Sequence, residues 1–150
     1  MTIPQFRYEP DEENPGWHIW VPADSTRFNG LMGKLIVRRE DERNARVRMW
    51  PEHRHSNLVG NVHGGTLLSL VDIALFAAAR VLGLEDAGRA VTLDVSAHFI
   101  GAGRTGEALD AEVELLRETG RLMFMRGLLV QSGDMVLSFS GTIRKASKRT

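Results

Sequence analysis

Cysteine is absent from the 150 residues of the chain. Disulfides, thiolate zinc sites and a cysteine nucleophile are therefore excluded. Excess charge is missing as well: 19 basic residues balance 19 acidic ones. No net field draws the chain to nucleic acid or to a membrane surface, and neither is expected as a partner. Prolines are few, five in all, and three of them fall within the first sixteen residues. That stretch is polar and acidic rather than basic and then apolar, so it lacks the pattern of a signal peptide, and a cytoplasmic protein is expected. No G-x-S-x-G elbow and no H-E-x-x-H pair occurs, which argues against the serine and zinc hydrolases that those motifs mark. There is no internal repeat, and 43% hydrophobic residues in a chain of this length fit one domain with a core.

What is present is one stretch that dominates the rest, Asn57–Gly83. It begins as a polar loop containing glycines and continues as a long apolar run. From Thr66 to Leu82 there is neither Gly nor Pro, and most residues are Leu, Ala, Val, Ile or Phe. This composition predicts a helix, closed by a left-handed cap at Gly83. The run is apolar nearly all round, as a helix buried on most sides would be. At about 17 residues it is at the lower limit for a membrane span, and Thr66, Ser69, Asp72 and Arg80 interrupt it. Asp72 sits mid-helix between apolar neighbours, where a carboxylate is costly unless it is satisfied or has work to do. His63-Gly64-Gly65 enters the helix N-terminus, where free N–H groups and the positive dipole end attract negative charge. That arrangement suits an oxyanion hole and favours a catalytic role for Asp72 over a merely satisfied interface carboxylate.

The rest of the chain reads as strands. Residues 1–16 look like a loose tail, and Gly16–Pro22 like an edge strand or an aromatic anchor on the core. Asp24 or Ser25 is placed to cap a short helix that runs through Met32 and ends at Gly33. Lys34–Glu40 and Asn44–Met49 form a hairpin. After the helix, Ala90–Phe99, Glu107–Arg117, Arg121–Gln131 and Met135–Arg144 follow as strands, with turns at Glu118–Gly120 and Ser132–Asp134. In Ala90–Phe99 strict alternation puts Thr92, Asp94, Ser96 and His98 on one face, opposite Val91, Leu93, Val95, Ala97 and Phe99. The expected fold is α+β, with one long central helix wrapped by an antiparallel sheet of about six strands. It divides into an N-terminal extension with a short helix (1–30), a main domain (31–146) and a tail (147–150).

Gly101-Ala102-Gly103-Arg104-Thr105-Gly106 matches the dinucleotide fingerprint literally, but the next segment, Glu107–Arg117, has strand rather than helix periodicity. The match is accidental, and the glycine-rich segment is expected to be a flexible loop. His53 and His55 lie close in a loop without a third ligand, so no metal site is expected.

Asn57-x-x-Gly60-x-x-His63-Gly64-Gly65 followed by Asp72 resembles the hotdog-fold acyl-CoA thioesterases, in particular the phenylacetate-degradation (PaaI-like) branch. Val91-Thr92-Leu93-Asp94, the Phe99–Gly106 segment and the Gly120-Arg121 turn extend the resemblance over roughly residues 34–145. The chain departs from the pattern at Ile100–Arg104, where a proline-containing turn would be expected. The resemblance implies hydrolysis of an acyl-CoA thioester, with Asp72 as nucleophile or general base. It makes Gly64 the backbone donor to the thioester carbonyl, and it has Asn57 and His63 hold the carbonyl and the loop. Thr92 occupies the position of a hydroxyl that positions the attacking water or Asp72. Gly65 lies at the substrate, and Arg104, Arg121, Arg144 and Lys145 are candidates for coenzyme A phosphates. Trp50, Leu58, Val59 and Phe76 are candidates for the acyl pocket. No cofactor is implied, since coenzyme A is part of the substrate. His63 and Asp72 are nine residues apart, about 13 Å along one helix, too far to act on one carbonyl. A homodimer with active sites at its interface resolves this; a tetramer is the larger assembly left open. The alternatives are an acyl-CoA-binding hotdog protein without catalysis, acting as a sensor, and a hotdog hydratase or dehydratase.

Overall fold

The computed structural model describes residues 5–147. Eight strands form one antiparallel sheet: β1 (Phe6–Pro10), β2 (His18–Pro22), β3 (Leu35–Arg39), β4 (Asn44–Met49), β5 (Val91–Phe99), β6 (Leu109–Glu118), β7 (Leu122–Gln131) and β8 (Asp134–Arg144). One long helix, α1 (Gly64–Val81), lies between β4 and β5 in the chain. The spatial order is β1-β2-β3-β4-β6-β7-β8-β5. The chain therefore meanders through four strands, runs through the helix, crosses to the far edge as β5 and returns through β6, β7 and β8.

The helix starts two residues earlier than its composition predicts, because the His63 ring caps it and draws Gly64 and Gly65 into the first turn. Its end is the expected one. Gly83 has φ +122°, and the Gly83 and Leu84 N–H groups bond to Arg80 O at 3.2 Å and Ala79 O at 2.9 Å, a Schellman closure. Length and hydropathy alone would let this helix cross a membrane, but half of it is buried inside the protein. Leu67, Leu70, Val71, Ala74, Leu75 and Ala78 pack into one core with Leu35, Val37, Val47 and Met49 from the first strands and Leu109, Ala111, Met123, Leu137 and Ile143 from the later ones. Burial of this surface is the main source of stability. Three register shifts, in the β5–β8, β6–β7 and β7–β8 pairs, add local twist and bend to the sheet that curls around the helix.

Three sequence expectations need correction. The sheet has eight strands rather than about six, because the supposed loose tail contributes β1 and the aromatic segment contributes β2. β2 is not an edge strand: it lies between β1 and β3. Alternation in β1 puts Phe6 and Tyr8 on one side, and both pack against the core together with the buried Trp20. Residues 1–4 of the tail lie outside the described residues. The short helix after Asp24 is a single 3-10 turn, Phe28–Met32, whose start has no side-chain cap. Asp24 instead accepts from the N–H and hydroxyl of Thr26.

The sheet's outer face is charged. Asp110 is buried there between Arg46 (2.7 Å) and Arg48 (2.7 and 2.8 Å). The Trp17 ring lies beneath the guanidinium groups of both Arg38 and Arg48, so the strand-rich half is tied together across β2, β3, β4 and β6.

Candidate active site

The helix N-terminus has its hydrogen bonds almost completely assigned. The Gly65 N–H donates to His63 Nδ1 at 2.8 Å. The Thr66 and Leu67 N–H groups donate to His63 O at 2.9 and 3.1 Å. The Gly64 N–H, at the first helical position, has no partner among the described residues. Because Nδ1 accepts, a neutral His63 ring carries its proton on Nε2, which is left as a donor. The sequence pattern set Gly64 and Gly65 side by side; the structure separates them, since only Gly64 keeps a free N–H to offer.

The loop before the helix is built by Asn57. Its Oδ1 accepts from the Val59 and Asn61 N–H groups at 3.1 and 3.0 Å, and Gly60 turns the chain with φ +86°. Asn57 thus shapes the loop. His55, expected in a surface loop, is buried. Its Nδ1 accepts from the Glu52 N–H at 2.9 Å and its Nε2 faces Leu31 O at 2.6 Å, so the ring joins the 3-10 turn at 28–32 to the segment entering α1. Both ring nitrogens are committed to protein partners, which leaves neither for a metal.

Asp72 is half-buried on the second turn-and-a-half of the helix, and its Oδ1 accepts a 2.6 Å hydrogen bond from Thr92 Oγ1. Strict alternation would have sent Thr92 to the same face as Asp94, away from the helix. A bulge prevents this. Thr92 pairs with Ile143 while Asp94 pairs with the adjacent Thr142, leaving Leu93 as the extra residue. Thr92 therefore shares the helix-facing side with Ile143, whereas Asp94 turns outward. Re-aiming one side chain in this way is a common use of a bulge.

A cavity of about 170 Å³ opens beside Asp72, lined among others by Phe6, Trp20, Ile73 and Phe76. Of the four acyl-pocket candidates, Phe76 is there. Leu58 and Val59 are not: they project from the loop, 106% and 79% exposed. Trp50 is half-buried outside that lining. Phe6 was not anticipated, because a stretch read as a loose tail gives no reason to place its aromatic near the carboxylate, and Trp20 was read only as part of an edge strand or an anchor on the core.

The cationic candidates divide. Arg104 is tied by ion pairs to Glu107 and, at 3.3 Å, to Asp134. Its loop is pinned rather than flexible: Gln131 bonds to the Arg104 N–H and carbonyl at 2.7 and 2.8 Å, and the Gly103 carbonyl accepts from Val62 at 2.9 Å. Gly103 packs closely there: a Cβ would lie 3.1 Å from the Val62 side chain, which would have to give by a few tenths of an ångström. Arg121, Arg144 and Lys145 line a cleft of about 610 Å³, in which Lys145 is ion-paired to Glu118 and donates to Thr119 O at 2.8 Å. Arg144 pairs with Val91, one rung beyond the Thr92–Ile143 pair, so this cleft lies at the Asp72 end of the sheet.

Known proteins share this architecture. The sequence profile of the thioesterase superfamily matches residues 59–138, which include the helix, Asp72, Thr92 and part of β8. A Pseudomonas aeruginosa protein provisionally named an esterase is 28% identical over 111 residues, covering 74% of this chain and 82% of its own. A mutant of the phenylacetic acid degradation protein PaaI from Thermus thermophilus superposes with TM-score 0.66 at 26% identity, covering 79% of this chain and 98% of the other. A hypothetical thioesterase from Streptococcus pneumoniae, crystallised with coenzyme A, superposes with TM-score 0.66 at 22% identity, covering 77% and 88%. With its single long helix inside a curled antiparallel sheet and a profile match over more than half its length, the chain belongs to the thioesterase superfamily and has the hotdog fold.

Proposed function

We propose that the protein hydrolyses an acyl-CoA thioester to the free acid and coenzyme A, in the cytoplasm and without a resident cofactor. The observation that carries this reading is the Thr92–Asp72 hydrogen bond beside a cavity to which Phe6, Trp20, Ile73 and Phe76 contribute. It orients a half-buried carboxylate through one oxygen and leaves the other to act on substrate or water.

In the general-base form, Asp72 takes a proton from water as the oxygen attacks the thioester carbonyl carbon. The Gly64 N–H, aided by the helix dipole, stabilises the tetrahedral oxyanion. The C–S bond then breaks, and the proton on Asp72 passes to the departing thiolate. In the nucleophilic form, an Asp72 oxygen attacks directly and expels the thiolate; water then hydrolyses the mixed anhydride. Incorporation of oxygen-18 into Asp72 during a single turnover in labelled water separates the two.

Gly64 and Asp72 on one helix are about 12 Å apart by rise alone, so each site takes its oxyanion donor from one protomer and its carboxylate from the other. Two features support a homodimer. β5 pairs only with β8 and leaves its other edge open, a ready template for strand pairing. Exposed apolar side chains flank the helix N-terminus: Phe99 at the end of β5, its ring 3.4 Å from where a Cβ on Gly64 would stand, and Leu58 and Val59 on the loop that leads into α1. The charged outer sheet face is where two dimers would meet in a tetramer. Coenzyme A phosphates are assigned to Arg121 and Arg144 of that cleft, with Arg104 and Lys145 held back by their own carboxylate partners. The Streptococcus pneumoniae relative's bound coenzyme A supports the ligand class.

The test is thiol release from short, long and aromatic acyl-CoAs by wild type and Asp72→Asn. The expected result is turnover by wild type that falls by a factor of about 10²–10⁴ in the variant, the usual contribution of a positioned acid–base group. A variant that keeps most of its rate removes Asp72 from the mechanism. Tight acyl-CoA binding without turnover by either protein assigns a sensor instead.

A further inference from the structure

Part of the cavity lining comes from the N-terminal hairpin, through Phe6 and Trp20. Phe6 stacks on Trp20 with ring centroids 4.2 Å apart and planes within 8°. On its other side, the Phe6 ring presses on the backbone of the turn after α1: a Cβ on Gly88 would stand 2.9 Å from Phe6 Cδ2. Phe6 is thus wedged between β2 and the 87–89 turn. Beyond it lies a second, larger groove of about 710 Å³, lined by Pro22, Arg27 and the exposed Phe28 among others. Phe6 and Asn29 line both spaces. The hairpin is fixed to the helix by more than this ring, since the Arg80 guanidinium lies 4.2 Å over the Tyr8 ring.

We propose that Phe6 is the specificity-determining residue that closes the acyl site, so that the N-terminal hairpin sets the length of acyl group accepted at Asp72. This rests on the thioesterase reading above. The cavity, about 170 Å³ and open on one side, has room for a group about the size of one benzene ring. Removing the Phe6 ring joins it to the outer groove. Trp20, Ile73 and Phe76 in the cavity and Pro22, Ala23 and Phe28 in the groove offer apolar surface to an alkyl chain, beside the polar Gln5, Asp24, Arg27 and Asn29.

The experiment compares kcat/KM for hexanoyl-CoA and dodecanoyl-CoA with wild type, Phe6→Ala and Phe6→Leu. Wild type is expected to favour the shorter substrate. In Phe6→Ala the dodecanoyl-to-hexanoyl ratio rises at least about tenfold, the scale on which apolar pockets discriminate by size. Phe6→Leu, which keeps apolar packing against Trp20 and protects the fold should the alanine variant be unstable, moves the ratio in the same direction by less. An unchanged ratio in a folded, active variant overturns the proposal, as does a wild type that already prefers dodecanoyl-CoA. A wild type that hydrolyses neither these substrates nor an aromatic acyl-CoA refutes the thioesterase reading itself, which is a distinguishable failure.

Discussion

Replacing Gly64 with proline isolates the oxyanion donor from everything else at the helix N-terminus. The Gly64 N–H is the one main-chain donor of the first helical turn with no partner among the described residues; those of Gly65, Thr66 and Leu67 are all taken by His63. Proline therefore removes a group that contributes no hydrogen bond to the free chain. The first helical position is where proline is best tolerated. The preceding residue must be extended, and His63 already is, with φ −61° and ψ 138°. Loss of glycine's freedom in the unfolded chain adds about 0.4–1 kcal/mol to stability, partly offset by the ring carbons pressing on Phe99, whose Cε1 lies 3.4 Å from the new Cβ. The thermal midpoint should therefore stay near the wild-type value. Activity should not: one missing oxyanion donor costs about 2.7–4 kcal/mol, or 10²–10³ in kcat. Gly64→Ala keeps the N–H and meets the same Phe99 contact, so it should retain a rate close to wild type. The assay is thiol release at saturating acyl-CoA, with the thermal midpoint and the mass in solution measured on each variant. A folded Gly64→Pro dimer with wild-type kcat would refute the assignment of the helix N-terminus as oxyanion hole.

Thr92→Val deletes the hydroxyl that bonds to Asp72 and keeps the β-branched shape. A hydrogen bond to a charged group is worth about 1.5–3 kcal/mol, which corresponds to roughly a ten- to hundredfold fall in kcat. KM should hold and Thr92→Ser should restore the rate; equal kcat in the valine variant would deny Thr92 any positioning role. On the outer face, burial pushes the Asp110 carboxyl up, but hydrogen bonds from Arg48 and Arg46 and their positive charge outweigh it and hold it below the ordinary value. Its stabilising contribution is therefore complete above the unfolded carboxylate pKa of about 3.9 and is lost as pH falls through the lower folded value. Asp110→Ala leaves two arginines half-satisfied and should cost about 3 kcal/mol at neutral pH by urea unfolding, with a shallower loss of stability in acid than wild type. Parallel acid profiles for the two proteins would show that Asp110 contributes nothing through its charge.

The elements legible in the chain are those whose signal is local. A run of Ala and Leu without Gly or Pro makes a helix wherever it is placed, and Gly83 ends it by the conformation it allows. Alternation, apolar runs and turn residues located six of the eight strands, and the two-residue turn Ser132-Gly133, with φ +47° and +82°, formed where a hairpin was expected. The loop–helix signature brought out Gly64, His63 and Asp72 because their spacing is carried by a single short stretch of chain. What tertiary structure alone decided is non-local. Nothing in Phe6–Pro10 announces that it will pair with the next strand, cover the helix and wall the cavity at Asp72. Arg104, a phosphate candidate in the sequence, is occupied by Glu107 and Asp134, the second of which is thirty residues away. Thr92 shows the division most sharply. Period-two alternation points it away from the helix, and only the slip in pairing against β8, set by partners some fifty residues later, turns its hydroxyl to Asp72. Side-chain periodicity is a property of one strand, whereas register is a property of two, so the chain specified the carboxylate and the fold specified what orients it.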